Sequence, residues 1–228
     1  MANIVKDLHQ RRFFVSWSGG KESSLALYRA ARSGGLAAFL FTMMDERGER
    51  SHGHGLPREV LCAQARSLGI PIIFRAASWD GYATAFLDGL GEMRDAGVTA
   101  GVFGDIDMPH HRHWVEQVCS TMRLAAVEPL WNDPRRSLVK ELIASGFRAT
   151  IVVTKDGLVS PEYLGRAMDM RVLNELESLG IDPCGEAGEY HTVVTDGPIF
   201  REPVAISQGA RTLREGYWFL QVGVAEPS

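Results

Sequence analysis

Cysteine is scarce. Only Cys62, Cys119 and Cys184 occur in 228 residues, far apart and without a C-x-x-C pair, so neither a zinc cluster nor a disulfide framework can be read, and a reducing compartment fits. No run approaches the length of apolar sequence that spans a bilayer, and the start, 1–12, is polar without the apolar core of a signal peptide. The expectation is a cytoplasmic protein with no membrane partner. Excess positive charge is missing too: 24 Lys and Arg stand against 28 Asp and Glu, a formal charge of −4. Such a balance disfavours a polyelectrolyte nucleic-acid binder. No linker or low-complexity tail interrupts a chain that is 45% hydrophobic, a composition and length suited to one large α/β domain with a smaller appendage.

Two common phosphate loops are absent as well. Neither G-x-x-x-x-G-K-[ST] nor G-x-G-x-x-G occurs. Instead Ser16-Trp17-Ser18-Gly19-Gly20-Lys21-Glu22-Ser23-Ser24 follows the apolar run Phe13-Phe14-Val15 and opens the Ala/Leu-rich segment 25–31. A strand, a glycine turn and a helix start are expected. Adjacent glycines permit close backbone approach, and the helix behind them presents unpaired N–H groups and the positive end of its dipole. Hydroxyls at Ser18, Ser23 and Ser24 and the charge of Lys21 make phosphate or pyrophosphate the natural guest.

Strand and helix signals then alternate. Strands are expected at 36–42, 70–74 and 99–103, with helices at 57–68, 79–96 and 109–122, most of them closed by glycine. This interval implies right-handed βαβ crossovers and an α/β, doubly wound, mostly parallel sheet of Rossmann-like type, with ligands at the carboxyl ends of its strands. Both the Ser-Gly-Gly turn and Gly104-Asp105 fall at such ends. Farther on, Asn132-Asp133-Pro134 is expected to cap a helix to 144, a strand to cover 148–154, and a last helix 166–179. From Asp182 the chain is punctuated by Pro183, Gly185, Gly188 and Gly197-Pro198, with β-like runs at 190–195 and 199–206 and a closing strand pair in 213–224. The expected division is a nucleotide-binding domain, 1–131, and a smaller C-terminal β-containing lobe, 132–228.

Several side chains carry chemistry. Arg112 and Glu116 lie one helical turn apart as an expected ion pair, either a solvated surface pair or one that aims Arg112 at phosphate or carboxylate. His110, His111 and His113 have no third ligand at metal spacing, and solvent-facing imidazoles are the simpler reading. His52-Gly53-His54-Gly55 is a glycine-flanked loop suited to act as a lid. Glu186-Ala187-Gly188-Glu189-Tyr190-His191-Thr192 gathers carboxylates, a phenol and an imidazole at a flexible bend. Unpaired acids seldom serve a core.

The turn resembles the PP-loop, Ser-Gly-Gly-x-Asp-Ser, of the ATP pyrophosphatase (adenine nucleotide alpha hydrolase-like) superfamily, with Glu22 where that motif has Asp. Together with Gly104-Asp105-Ile106, Arg112-x-x-Val115-Glu116-x-x-Cys119, Pro129-Leu130-Trp131, Gly188-Glu189-Tyr190-His191-Thr192 and Asp196-Gly197-Pro198-Ile199-Phe200, it is similar to the diphthine-ammonia ligase family. His191 stands where that family's motif often has Glu. The resemblance implies ATP-dependent amidation of a carboxylate through an acyl adenylate, releasing AMP and pyrophosphate, with ammonia as nucleophile and Mg2+ as helper. On this reading Ser18, Gly19, Gly20, Lys21 and Ser23 bind pyrophosphate. Glu22 and Asp105 are magnesium or nucleotide contacts beside Gly104, and Met43 lies near the adenine. Arg112 meets substrate, while Glu189, Tyr190 and His191 shape the amine or acyl site. The expected partners are ATP, ammonia and an acceptor, a protein carboxylate or a small molecule; a homodimer stays open. Rival readings are a PP-loop enzyme acting on a tRNA base, such as a thiolase, and an ATP-holding regulatory protein without turnover.

Overall fold

The computed structural model describes residues 8–225; the first seven residues of the polar start lie outside the described residues. The chain runs β1 (Arg12–Ser16), α1 (Lys21–Arg32), β2 (Leu36–Met44), α2 (Arg58–Leu68), β3 (Ile72–Ala76), α3 (Tyr82–Asp95), β4 (Ala100–Val102), α4 (Pro109–Thr121), β5 (Ala125–Val127), α5 (Arg135–Ala144), β6 (Arg148–Lys155), α6 (Met170–Ser178), β7 (Tyr190–Asp196), β8 (Ile206–Arg214) and β9 (Tyr217–Val224). Its contacts group into two units. One holds the described residues up to Ser18 with Glu22–His52 and Gly69–Asp133; the other holds Gly19–Lys21, Gly53–Leu68 and the chain from Pro134.

The first unit is the doubly wound α/β sheet expected, with strand order β3-β2-β1-β4-β5 and every pairing parallel. A parallel strand covered on both faces reads as an unbroken apolar run, and Phe13, Phe14 and Val15 of β1 are fully buried. Phe14 meets Phe41 and Phe103 edge to face, with centroids 6.1 and 5.7 Å apart, within a core that also takes Phe86, Leu90, Met93, Val115 and Cys119 from α3 and α4. The order steps from β1 outward to β2 and β3, then returns to β4 and β5. Loops after β1 and β4 therefore open at the topological switch point, where ligands of such sheets bind.

The second unit carries a four-stranded antiparallel sheet, β7-β6-β9-β8. The helix α2 packs on β9, and α5 packs on α6 with Arg136 ion-paired to Glu177. Glu215 and Gly216, with φ of 51° and 78°, form the two-residue turn between β8 and β9, the left-handed geometry that matches strand twist. Among the described residues no helix is long and apolar enough to cross a membrane.

Three local expectations are corrected. The helix expected over 166–179 starts only at Met170, because Ala167 bridges to Thr150, Met168 N–H donates to the Ala149 carbonyl, and the Asp169 carboxylate caps Val172 N–H at 2.7 Å. The run 199–206 is not a strand: Phe200, Arg201 and Val204 donate separately to Gly197, Ser67 and Thr195, so β8 begins at Ile206. Asn132 and Asp133 do not cap α5. Pro134 holds that place without a side-chain bond, and Asp133 instead pairs with Arg29 of α1 at 2.6 Å.

Candidate active site

In the first unit the chain leaves β1 at Trp17, whose N–H donates to the Phe41 carbonyl at 2.8 Å and whose carbonyl accepts from the Thr42 hydroxyl at 2.6 Å. These bonds anchor the loop to β2. Ser18 and Ser23 bring their hydroxyls to 3.1 Å across the turn, and Glu22 lies in the first turn of α1. Beside it, after β4, Gly104 packs so closely that a Cβ there would lie 3.0 Å from the Glu22 carbonyl carbon and 3.1 Å from Ser23 N. A glycine is needed where backbone meets backbone. Asp105 follows, its Oδ1 3.2 Å from Nδ1 of His111, whose imidazole is exposed as expected and has this carboxylate beside it. Met43 is buried in the apolar core, and its carbonyl accepts from His52 N–H at 3.0 Å.

Arg112 forms the expected pair with Glu116, Nε to Oε1 2.8 Å. The same nitrogen stands 3.3 Å from Glu128 Oε2, and the guanidinium lies 4.6 Å over the Trp131 ring. Glu128 is buried, and its Oε1 has no hydrogen-bond partner among the described residues. Burial first, then the negative charge of Asp105, raise its carboxyl to about 7 against the opposing pull of Arg112. Burial and Asp105 likewise push the Tyr82 phenol up to about 12.

In the second unit the glycine turn is fastened to β7. The Gly19 carbonyl accepts from Val194 N–H at 2.9 Å and from Gln64 Nε2 of α2 at 2.9 Å, while Lys21 N–H donates to the Thr192 hydroxyl at 3.2 Å. The Thr192 carbonyl in turn accepts from His54 Nδ1 at 3.0 Å. Lys21 is buried with its ammonium 4.5 Å over the Tyr190 ring, a cation–π contact with the face of the phenol. Tyr190 is fully buried, and its hydroxyl donates to the Pro183 carbonyl. Glu189 is nine-tenths buried, and its Oε2 accepts from Ala187 N–H at 2.9 Å. Asp182 organises the approach to this bend: it pairs with Arg135 at 2.6 Å and accepts from Cys184 and Glu186 N–H.

His191 lies against His54 with ring centroids 4.5 Å apart and planes tilted by 33°. Burial lowers His54 to about 4, with Lys21 adding to the effect and the Thr192 bond opposing it; burial, His54 and Lys21 hold His191 well below the usual imidazole range. Both rings are neutral at physiological pH. Of the residues singled out in the sequence, the second unit brings Gly19, Gly20 and Lys21 together with Tyr190 and His191. The first brings Ser18, Glu22 and Ser23 together with Gly104. Arg112 keeps company with Glu116 and Glu128, and Met43 with the core. Sequence reasoning passed over Gln64 and Glu128 and read His54 as part of a lid. The glycines flanking His54 were its only local signal.

Among the described residues no group of three or more His, Cys, Asp or Glu could hold a metal by itself. Magnesium does not need one, since it usually takes one or two carboxylates together with substrate phosphates. Glu22 at the start of α1, with Asp105 next to the glycine packed on it, supplies hard oxygen donors of that kind.

Comparison with known proteins bears on the whole chain. A profile of the diphthamide synthase N-terminal domain matches residues 11–126, and one of the diphthamide synthase C-terminal domain matches 133–226. A diphthine–ammonia ligase of Danio rerio is 33% identical over 136 residues, 58% of this chain and 52% of that protein. One of Homo sapiens is 34% identical over 107 residues, 45% of this chain and 40% of that protein. The chain thus spans about half the length of the curated relatives it matches. A solved structure from Methanocaldococcus jannaschii, described as a predicted subunit of tRNA methyltransferase, aligns over 82% of this chain and 98% of its own at 15% identity and a TM-score of 0.45. With both domain profiles matched in order across the α/β unit and the antiparallel lobe, this chain belongs to the diphthamide synthase family.

Proposed function

We propose that the chain is an ATP-dependent carbon–nitrogen ligase that adenylates an acceptor carboxylate and amidates it with ammonia, as the names of its relatives suggest. The observation that carries this reading is the fastening of the glycine turn to β7: Lys21 over Tyr190 and tied to Thr192. A bare nucleotide pocket has no need to tie its phosphate turn to the Glu189–Thr192 block.

A carboxylate is a poor acyl donor because its leaving group would be oxide. Attack of its oxygen on the α-phosphate of ATP breaks the bond to the bridging oxygen and releases pyrophosphate, leaving an acyl adenylate; ammonia then attacks the acyl carbon, AMP departs, and one proton is lost. In this scheme Ser18, Gly19, Gly20, Lys21 and Ser23 hold the departing pyrophosphate, where charge accumulates in the first transition state. Magnesium, held by Glu22, Asp105 and phosphate oxygens, would neutralise part of that charge. Arg112, braced by Glu116, Glu128 and Trp131, meets an anionic part of the substrate. Glu189, Tyr190 and His191 shape the acyl or amine site, and Met43 lies near the adenine. The family resemblance suggests a protein carboxylate of diphthine type as acceptor.

Thiolation of a tRNA base needs an accessible, activated thiol. Burial pushes the Cys119 thiol up to about 12, and Cys184 is buried with its sulfur on the Arg135 carbonyl at 3.3 Å, so neither is such a thiol and Cys62, half-buried, is the one cysteine left to serve. The test is to incubate the protein with magnesium ATP and ammonium, with and without cell extract, and identify the nucleotide product. AMP and pyrophosphate that depend on extract support the ligase. ADP, or tight ATP binding without turnover, overturns it in favour of a regulatory nucleotide binder.

A further inference from the structure

The segment Gly53–Leu68 groups with the second unit, and within it His54 meets the glycine turn. A Cβ at Gly20 would collide with His54 Cε1 and lie 3.1 Å from the Thr192 carbonyl oxygen. Gly20 is therefore glycine because an imidazole and a strand backbone press on it. That imidazole cannot slide away. A carbonyl only accepts, so the bond to the Thr192 oxygen at 3.0 Å makes Nδ1 the protonated nitrogen and fixes the tautomer, and the His191 ring closes the other side at 4.5 Å. One residue of β7 then serves both partners: its carbonyl holds His54, and its hydroxyl accepts from Lys21 N–H at 3.2 Å.

We propose that His54 is a positioning residue for the anion-receiving turn, a wedge that, through Thr192, holds Gly20 and Lys21 in their binding conformation before a polyphosphate arrives. The proposal rests on the reading of that turn as a pyrophosphate site. The neutrality of both rings suits a wedge: charged imidazoles packed beside the Lys21 ammonium would repel it, whereas neutral ones order the turn through shape and one directed bond. A turn ordered in advance spares the ligand the entropy of ordering it.

The probe is inorganic pyrophosphate with magnesium, and its affinity is measured by calorimetry on the full chain. The variants are His54→Leu, His54→Asn and Lys21→Ala. Leu fills space without a donor, while Asn keeps an N–H close to the position of Nδ1. Loss of one directed bond that shapes the turn is expected to weaken binding about tenfold in His54→Leu, with Asn recovering most of that loss at an unchanged unfolding midpoint relative to Leu. Packing alone would give the reverse order, since Leu fills the space better than Asn. Should His54→Leu not fold, Thr192→Val and Thr192→Ser pose the same question at the hydroxyl, with Ser expected to restore what Val loses. Wild-type affinity in His54→Leu or Thr192→Val, or no recovery in His54→Asn or Thr192→Ser, overturns the wedge while a large loss in Lys21→Ala leaves the pyrophosphate site standing. Unchanged binding in Lys21→Ala overturns both.

Discussion

Glu128→Gln is expected to stabilise the ligand-free protein in alkali and change little in acid. The carboxyl sits at about 7 in the folded chain against 4.5 as its ordinary value, and at about 1.4 kcal/mol per pKa unit that difference is about 3 kcal/mol. The sign follows from proton binding. Below 4.5 the group is protonated in both folded and unfolded chains and the full stability is present. Between 4.5 and about 7 only the unfolded chain has released its proton, so stability falls as pH rises, and above about 7 the loss is complete. Its cause is an ionised oxygen, Oε1, buried without a hydrogen-bond partner among the described residues, while Oε2 has Arg112 at only 3.3 Å. Glutamine has nearly the same shape and no charge, so its advantage over wild type grows with pH, reduced by about 1 kcal/mol where its N–H groups lack acceptors. Chemical denaturation of both proteins from about pH 4 to about pH 9 reads this directly. A stability difference that stays level with pH, or one that changes around 4.5 rather than 7, refutes the assignment of a buried, poorly compensated carboxylate.

Gly104→Ala places a Cβ 3.0 Å from backbone and Cβ atoms of Glu22 and should cost about 1–3 kcal/mol in denaturation, with ATP affinity falling alongside because the start of α1 must move. Lys21→Ala and Ser23→Ala should each weaken ATP binding, Lys21 by about tenfold or more for a lost charge-assisted contact; calorimetry giving wild-type affinity in both would discard the phosphate assignment. Glu189→Ala should leave nucleotide affinity largely intact and stop amide formation, as followed by acceptor-dependent AMP release; retained transfer removes that residue from the chemistry. Tyr190→Phe deletes the hydroxyl on the Pro183 carbonyl and keeps the ring under Lys21, so it should cost about 1 kcal/mol of stability and little ATP affinity.

The parallel sheet was legible because its strands are buried on both faces and therefore announce themselves as apolar runs, with glycine closing most of the helices between them. Gly104-Asp105 was legible for a related reason, its place just past a short apolar strand. Where local signals competed, tertiary bonds decided: Asp169 capped α6 four residues later than its apolar stripe suggested, and the apolar run before β8 spent its N–H groups one at a time on Gly197, Ser67 and Thr195. His54 shows a harder limit. Its role depends on a carbonyl 138 positions away, and nothing in the spacing of His52-Gly53-His54-Gly55 distinguishes a wedge from a lid. Glu128 was hidden differently, since a carboxylate next to Pro129 reads as a polar loop residue until its burial is known.

The bond from Lys21 N–H to the Thr192 hydroxyl joins residues 171 positions apart, and the partners of the Gly19 carbonyl include Val194 as well as Gln64. On the ribosome the signature loop emerges well before the strand that shapes it. The parallel sheet can assemble from chain already synthesised, but loop closure over so long a span comes late. The shape that β7 imposes on the turn is thus withheld until Tyr190–Asp196 has been made, and a chain that stops short of it displays the motif without the bonds that hold it.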